Sequence, residues 1–261
     1  MRRLFPLIAL AVLRCIPTWA DSEWVWAPAG RLFPITFADP REIRTALAFT
    51  GRNINASVGS YLSAFAVTPE DESWNFHLGL EGRAYITMRQ EGGRFPVETV
   101  DGTIGLYTEF ATSQWQWQLR YTHVSAHLAD GLAGTPIAYS RETVSLRTGY
   151  SPDESFQVYA GLYKIVNTSP VVPNWSFQLG TNYFLPWGAE TTPFVAADLR
   201  WQSESYADPC FALQLGLAFH GAESVRRSLR LYYSYYTGAE LRGQFYTEPF
   251  TTHAFGIEIP L

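Results

Sequence analysis

Charged residues are scarce in this chain, and long apolar runs are missing after its first twenty residues. Asp, Glu, Lys and Arg make up 16% of the 261 residues, well below the roughly 25% that soluble domains carry. A transmembrane helix needs about 20 consecutive apolar residues, and no such run follows the N-terminal stretch. The composition therefore argues against a helical membrane protein and is unusual for a soluble domain.

Cysteine is scarce as well, because the chain contains only 2 Cys. Cys15 lies within a predicted signal peptide, and Arg14 before it is not the small residue that a lipoprotein signal requires. Cys210 then stands alone, so no intrachain disulfide is expected, and we interpret it as a small packed hydrophobe. Gly-rich phosphate loops, zinc-type Cys spacings and nucleotide fingerprints are also missing.

The N-terminus has the pattern of a signal peptide over residues 1–20. Arg2 and Arg3 form a basic start, an apolar stretch follows, and residues 18–20 offer a small-x-small cleavage site. The formal net charge of the chain is −5, and cleavage leaves the protein more acidic. Nucleic-acid binding requires a basic surface, so no nucleic-acid partner is expected.

Aromatic residues and alternating segments are what the chain has in abundance. Phe, Trp and Tyr make up 16% of the residues. From about residue 43 onward, segments of about ten residues alternate apolar and polar side chains between turn residues, as in transmembrane β-barrels. In residues 73–89, the apolar face carries Trp74, Phe76, Leu78, Leu80, Ala84, Ile86 and Met88. The polar face carries Asn75, His77, Glu81, Arg83, Thr87 and Arg89.

Twelve such segments can be counted along the chain. They cover residues 43–52, 55–67, 73–89, 102–112, 114–128, 139–150, 154–167, 174–185, 192–203, 210–220, 226–237 and 244–260. An even number suits a closed bacterial barrel with both termini in the periplasm. The sequence therefore predicts an all-β fold, a transmembrane antiparallel β-barrel of about 12 strands over residues 43–261. An irregular periplasmic lead-in at 21–42 is expected to plug or brace it, and a soluble secreted β-sandwich is the alternative.

The C-terminal run from Ala254 to Leu261 resembles the signal by which outer-membrane barrels are recognised for assembly. Phe255, Ile257, Ile259 and Leu261 share one face, although the terminal residues are aliphatic rather than aromatic and Pro260 is next to last. The resemblance implies a bacterial outer-membrane location, with the barrel-assembly machinery and membrane lipids as partners. The sequence does not indicate an oligomeric state.

Residues 32–42, with the sequence LFPITFADPRE, resemble the start of the family called domain of unknown function 1207. Members of that family look like outer-membrane barrels, and the resemblance extends over nearly the whole mature chain. It implies the barrel fold and no particular activity.

One group of residues in the fifth and sixth segments has the composition of a hydrolytic site. His123 and Ser125 lie two residues apart on the odd-numbered face of the fifth segment, which also carries Trp115, Trp117, Leu119 and Tyr121. Glu142 lies on the apolar face of the sixth segment. A symmetric hairpin between residues 128 and 139 would place Ser125 opposite Glu142 and His123 on the diagonal. The three side chains are then expected to face lipid near the outer leaflet.

This His-x-Ser pair with an acid on the next strand resembles the sites of outer-membrane phospholipase A and the lipid A deacylase. The resemblance implies that His123 is the base, Ser125 the nucleophile and Glu142 the orienting residue of a serine acyl hydrolase acting on phospholipid or lipid A. Those enzymes have an Asn soon after the serine, where this chain has Ala126 and His127. Calcium is the one cofactor that such an enzyme would bring; otherwise none is expected.

Other interpretations of the same residues remain open. Polar side chains near a strand end also mark the boundary between lipid tails and headgroups, and His123 with His127 supplies only two ligands for a metal ion. Polar residues on the inner faces indicate either a filled lumen or a narrow pore. Without a stronger motif, the composition favours a non-catalytic outer-membrane barrel, structural or a narrow channel, with lipid hydrolysis as the alternative.

Overall fold

The computed structural model describes residues 22–186, 190–202, 209–220 and 228–259. The predicted signal peptide and the last two residues of the C-terminal run lie outside them. Nearly every described element is a β-strand, and one short 3-10 helix spans Gly243–Phe245. Within the described ranges, no helix has the length and apolar character needed to cross a membrane.

Thirteen strands form a single sheet in the described part of the chain. They are β1 (Ser22–Trp26), β2 (Thr45–Phe49), β3 (Asn53–Pro69), β4 (Asn75–Arg89), β5 (Val97–Ala111), β6 (Trp115–Leu128), β7 (Tyr139–Tyr150), β8 (Phe156–Ser169), β9 (Trp175–Phe184), β10 (Thr191–Gln202), β11 (Cys210–Phe219), β12 (Leu229–Ala239) and β13 (Pro249–Ile259).

Strands β2 to β13 form a closed antiparallel barrel of twelve strands. Each strand pairs with the next along the chain, and the ring closes where Phe255 to Ile259 of β13 pair with Phe49 to Thr45 of β2. The predicted twelve-strand barrel is therefore confirmed. Closure also removes the open sheet edges that would otherwise promote aggregation.

Strand β1 falls within residues that the sequence predicts to be irregular. Its residues 22–26 pair with residues 65–69 of β3. Because β3 is 17 residues long and β2 pairs only with residues 54–57 of it, the far end of β3 has a free edge on that side. Strand β1 covers part of this edge, and its formation depends on β3 rather than on its own sequence pattern.

The barrel is apolar outside and polar inside, as the alternating segments predict. On β4, Leu78 and Leu80 are exposed on the outer surface, whereas His77 and Glu81 are buried inside. Successive side chains of a strand point to opposite faces, so the same alternation continues around the ring. An apolar exterior is the arrangement that a lipid environment favours.

Residues 27–44 run through the interior of the ring. Phe33 and Phe37 are completely buried there. The buried carboxylate of Glu42 accepts hydrogen bonds from Arg31 at 3.0 Å, from Arg147 of β7 at 3.1 Å and from Tyr61 of β3 at 2.6 Å. These contacts join the N-terminal segment to the barrel wall on two sides.

The same segment reaches the remaining walls through two more ion pairs. Asp39 contacts Arg200 of β10 at 3.1 Å, and Arg44 contacts Glu258 of β13 at 3.1 Å. A buried charge is tolerated only when it is paired and hydrogen-bonded. The N-terminal segment therefore supplies ion-pair partners to charged side chains on the inner faces of several strands.

The connection between β12 and β13 folds into the opposite end of the barrel. The backbone amide of Gly243 donates to Asp101 at 2.7 Å. The side-chain amide of Gln244 donates to the carbonyl of Ala126 at 2.6 Å and to that of Ile137 at 3.0 Å. This connection, residues 240–248, is called the inner loop below. Together with the N-terminal segment, it occupies much of the lumen.

The central position of Glu42 leads to a test of the folded barrel. Replacing Glu42 by Gln leaves Arg147 without its carboxylate and Arg31 with Glu109 as its remaining acidic partner, and breaking a buried ion pair costs about 3–5 kcal/mol. We expect the E42Q barrel, refolded in detergent, to unfold at lower urea concentration, as followed by tryptophan fluorescence. E154Q changes an exposed residue in the turn between β7 and β8 and should leave the midpoint unchanged. Equal midpoints for the two variants would contradict the role given to Glu42.

Candidate functional site

Strands β6 and β7 bring His123 and Glu142 directly opposite each other. The two strands pair from Trp115 with Tyr150 to Ala126 with Tyr139. The predicted register, with Ser125 opposite Glu142, is therefore wrong by two residues, because Ser125 pairs with Ser140. The predicted face is correct, since a shift of two residues keeps every side chain on the same side of the sheet.

The connection between β6 and β7 is longer than predicted and contacts the inner loop. Gln244 bridges the carbonyl groups of Ala126 and Ile137, at the point where β6 and β7 separate. Beyond Ala126, β6 continues to Leu128 by pairing with β5 alone. The connection between the two strands is therefore longer than a symmetric hairpin would need.

The acid and the imidazole meet on the outer surface of the barrel. The His123 Nδ1 atom lies 3.7 Å from Oε1 of Glu142, and the two side chains are 39% and 28% exposed. The Tyr121 hydroxyl lies close to the same carboxylate. Leu119, on the same face of β6, is 51% exposed. The pair thus lies at the end of an apolar surface stripe, accessible from outside.

Ser125 occupies the next outward position after His123. It pairs with Gly102 of β5, and a Cβ atom added at Gly102 would lie 3.6 Å from the Oγ atom of Ser125. Among the described residues, the Ser125 hydroxyl makes no hydrogen bond. The structure therefore joins the candidate base and acid, and it places the candidate nucleophile beside them without a direct bond to the imidazole.

In this arrangement the carboxylate contacts the imidazole nitrogen that an orienting acid contacts in acyl transfer. An acid that contacts Nδ1 of a histidine leaves Nε2 available to accept a proton from a hydroxyl group. Catalytic hydrogen bonds are often long in the absence of substrate and tighten only in its complex. Within the described residues, no cluster of three or more His, Cys, Asp or Glu side chains is arranged to hold a metal ion.

A second Ser–His pair, which was not predicted from the sequence, lies inside the barrel. The Ser63 hydroxyl lies 3.1 Å from Nδ1 of His77 and 2.9 Å from the hydroxyl of Tyr107, and it donates to the carbonyl of Gly30 at 2.8 Å. A register shift between Ser63 and Phe65 interrupts the alternation of β3. Because Ser63 and His77 are buried, this group serves to hold the N-terminal segment.

The fold resembles that of solved outer-membrane barrels. Outer membrane phospholipase A from Escherichia coli matches with a TM-score of 0.55 and 16% identity, covering 89% of this chain and 93% of that one. The Salmonella typhi outer membrane phospholipase, solved as a dimer with bound calcium, matches with a TM-score of 0.54 and 14% identity, covering 85% and 93%. At such identities the likeness concerns the fold alone.

Sequence comparison identifies the family. A search of curated proteins finds none that matches this sequence. A family model described as "Protein of unknown function (DUF1207)" matches residues 20–259, nearly the whole chain. Both the closed barrel and the matched length agree with the resemblance carried by residues 32–42. The chain is an outer-membrane-type β-barrel that belongs to this DUF1207 family.

Proposed function

We propose that this protein is a bacterial outer-membrane barrel whose outer surface carries a serine acyl hydrolase site. The observation that carries the proposal is the 3.7 Å contact between His123 Nδ1 and Glu142 Oε1, on the same outward face as Ser125. Three residue types needed for nucleophilic acyl transfer thus meet at an exposed position. Membrane lipids and the barrel-assembly machinery are the partners that this location implies.

In the proposed reaction, each of the three residues has one role. Glu142 orients the imidazole and stabilises its protonated form, and Nε2 of His123 accepts the proton of Ser125. The Ser125 oxygen attacks the acyl carbonyl carbon, and the ester alcohol leaves with the proton that His123 returns. Water, deprotonated by His123, then cleaves the acyl–serine ester and releases a fatty acid.

The surroundings of the site favour a lipid ester as substrate. Ile104 of β5 pairs with His123 and is 65% exposed. Leu106 of β5 and Leu146 of β7 are also exposed on the outer surface. Acyl chains that lie against this apolar stripe would bring their ester groups to its polar end, where His123 lies. Phospholipid and lipid A are the substrate classes with this arrangement.

A non-catalytic role is the second candidate, and the filled interior favours it. The N-terminal segment and the inner loop occupy the lumen, and Arg147 and Glu42 form a completely buried pair across it. A barrel held closed in this way suits a structural role better than a channel. The Ser125 hydroxyl, which makes no hydrogen bond within the described residues, agrees with this candidate too.

Fatty-acid release separates the two candidates. We expect the refolded protein to release fatty acid from phospholipid or lipid A. The rate of S125A should be at least about 10³-fold lower, as for other catalytic serines. H123A should fall similarly, and E142Q by about 10²-fold or more. S140A is the matched control, because Ser140 pairs with Ser125 on the neighbouring strand. It should keep the full rate.

The assay is run with calcium and with a chelator, on protein whose gel mobility shifts on boiling. No release above the blank from such folded protein, in either condition, would overturn the hydrolase proposal and leave the non-catalytic barrel. Release that survives in S125A would assign the activity to another residue.

The proposed orientation can be tested on intact cells. Thr135 lies in the exposed connection near the site, and Ser113 lies in the turn at the opposite end of β6. Because Cys210 is buried, a membrane-impermeant maleimide should label T135C but not S113C. Labelling of S113C alone would place His123 at the periplasmic end, away from the outer leaflet.

A further inference from the structure

A cavity of about 120 Å³ lies inside the barrel, between the N-terminal segment and the inner loop. Asp39 and Arg41 line it on one side, and Leu241 and Gly243 on the other. The walls are inward-facing residues of β4 to β10. This space is separate from the outer surface that carries His123, since that side chain faces away from the lumen.

Positive charge predominates among the described residues that line the cavity. They include five arginines, at positions 41, 83, 120, 141 and 200, and three acids, at positions 39, 101 and 240. Arg120 is paired with Glu81 at 2.6 Å, and Arg200 with Asp39 at 3.1 Å. The lining therefore has more guanidinium groups than carboxylates.

Arg83 is one of the lining guanidiniums with a buried nitrogen that lacks a hydrogen-bond partner. Its Nη1 atom donates to two backbone carbonyls, those of Pro40 at 3.3 Å and Glu42 at 3.0 Å. Its Nε atom is buried and finds no acceptor among the described residues. Asp101, on the neighbouring strand, accepts instead from the amide of Gly243. Within the described ranges, Arg83 thus faces the cavity without a carboxylate in ion-pair contact.

Arg83 is partly buried, and a charge removed from water without an ion-pair partner is costly unless a counter-charge is supplied. The planar fork of a guanidinium matches the paired oxygen atoms of phosphate and carboxylate groups. Thr103 and Thr143 add hydroxyl groups to the lining. The cavity is also large enough for a small anion, because a cavity of only about 10–15 Å³ already holds one water molecule.

We propose that this cavity binds a small oxyanion, with Arg83 as its principal ligand. Inorganic phosphate is the form we expect, and a free carboxylate shares the same chemistry. Arg120 and Arg200 contribute to the positive field although each has its own carboxylate. The bound anion would complete the charge balance between the N-terminal segment and the inner loop, and it would stabilise both within the lumen.

Direct binding to the refolded barrel tests the site. We expect equilibrium dialysis with radiolabelled phosphate to show saturable binding of one anion per chain at constant ionic strength in chloride. Acetate and sulfate, added as competitors, distinguish carboxylate from tetrahedral oxyanion chemistry. Phosphate should also raise the urea midpoint of the wild type, since a ligand that binds only the folded state stabilises it.

Three variants assign the binding to Arg83. R83Q should bind phosphate at least about tenfold more weakly, the loss expected for hydrogen bonds to a charged group. R83K retains the charge but loses the bidentate geometry, so it should also bind phosphate more weakly than the wild type. R94Q, in the exposed turn between β4 and β5, should bind as the wild type does. All are checked for folding by their mobility shift on boiling.

Two results would overturn the proposal. The first is the absence of saturable phosphate, sulfate or acetate binding to the folded wild type, which needs no variant. The second is unchanged binding in folded R83Q or R83K. If acetate displaces the bound phosphate and sulfate does not, the natural ligand is a carboxylate rather than phosphate, within the same chemistry. Neither result bears on hydrolysis at Ser125, which is measured separately.

Discussion

The carboxylate of Glu42 joins the N-terminal segment to the barrel. It accepts hydrogen bonds from Arg31 of the same segment, from Tyr61 of β3 and from Arg147 of β7. Such a group would be too costly to bury alone, because an isolated ion loses its hydration. Its partners come from positions up to 105 residues away in the chain. The segment and the inner wall of the barrel therefore depend on each other.

The inner and outer surfaces of the barrel differ in polarity. Many polar side chains inside the ring bond to the N-terminal segment and the inner loop, whereas many outward positions are apolar. His123 and Glu142 are exceptions to that rule on neighbouring strands. Placing polar groups on an apolar stripe in lipid is energetically unfavourable. Such groups are therefore expected either at the boundary of the stripe or in a functional site. The proposed hydrolase site satisfies both conditions.

Charge balance differs between two parts of the lumen. Glu42 and Glu258 each contact an arginine. Around the cavity, which the paired Asp39 and Arg200 also line, arginines outnumber acids. An anion bound there would balance the remaining positive charge. The inner loop also contacts β6 and its connection to β7 through Gln244, so one structural element borders both the cavity and the strands that carry the outer site.

The all-β class, the number of barrel strands and the face on which each side chain lies could be predicted from the sequence. These predictions follow from the period-two alternation and the turn residues, which are local properties of the chain. The sequence also placed His123, Ser125 and Glu142 on one surface, because parity survives a shift of two residues. Local patterns thus predict the strands and the orientation of their side chains, but not the residue on the neighbouring strand with which each one pairs.

The position of Glu142 opposite His123 rather than Ser125 became evident from the three-dimensional structure. At the end of this pairing, β6 contacts Gln244, which follows it by more than 100 residues. The strand β1, the Ser63–His77 pair and the arginine-lined cavity were likewise not predicted. Each arises where distant segments meet inside the ring, or where a register shift interrupts the alternation. Pairings of this kind depend on which residues the closed barrel brings together, and no local sequence pattern encodes them.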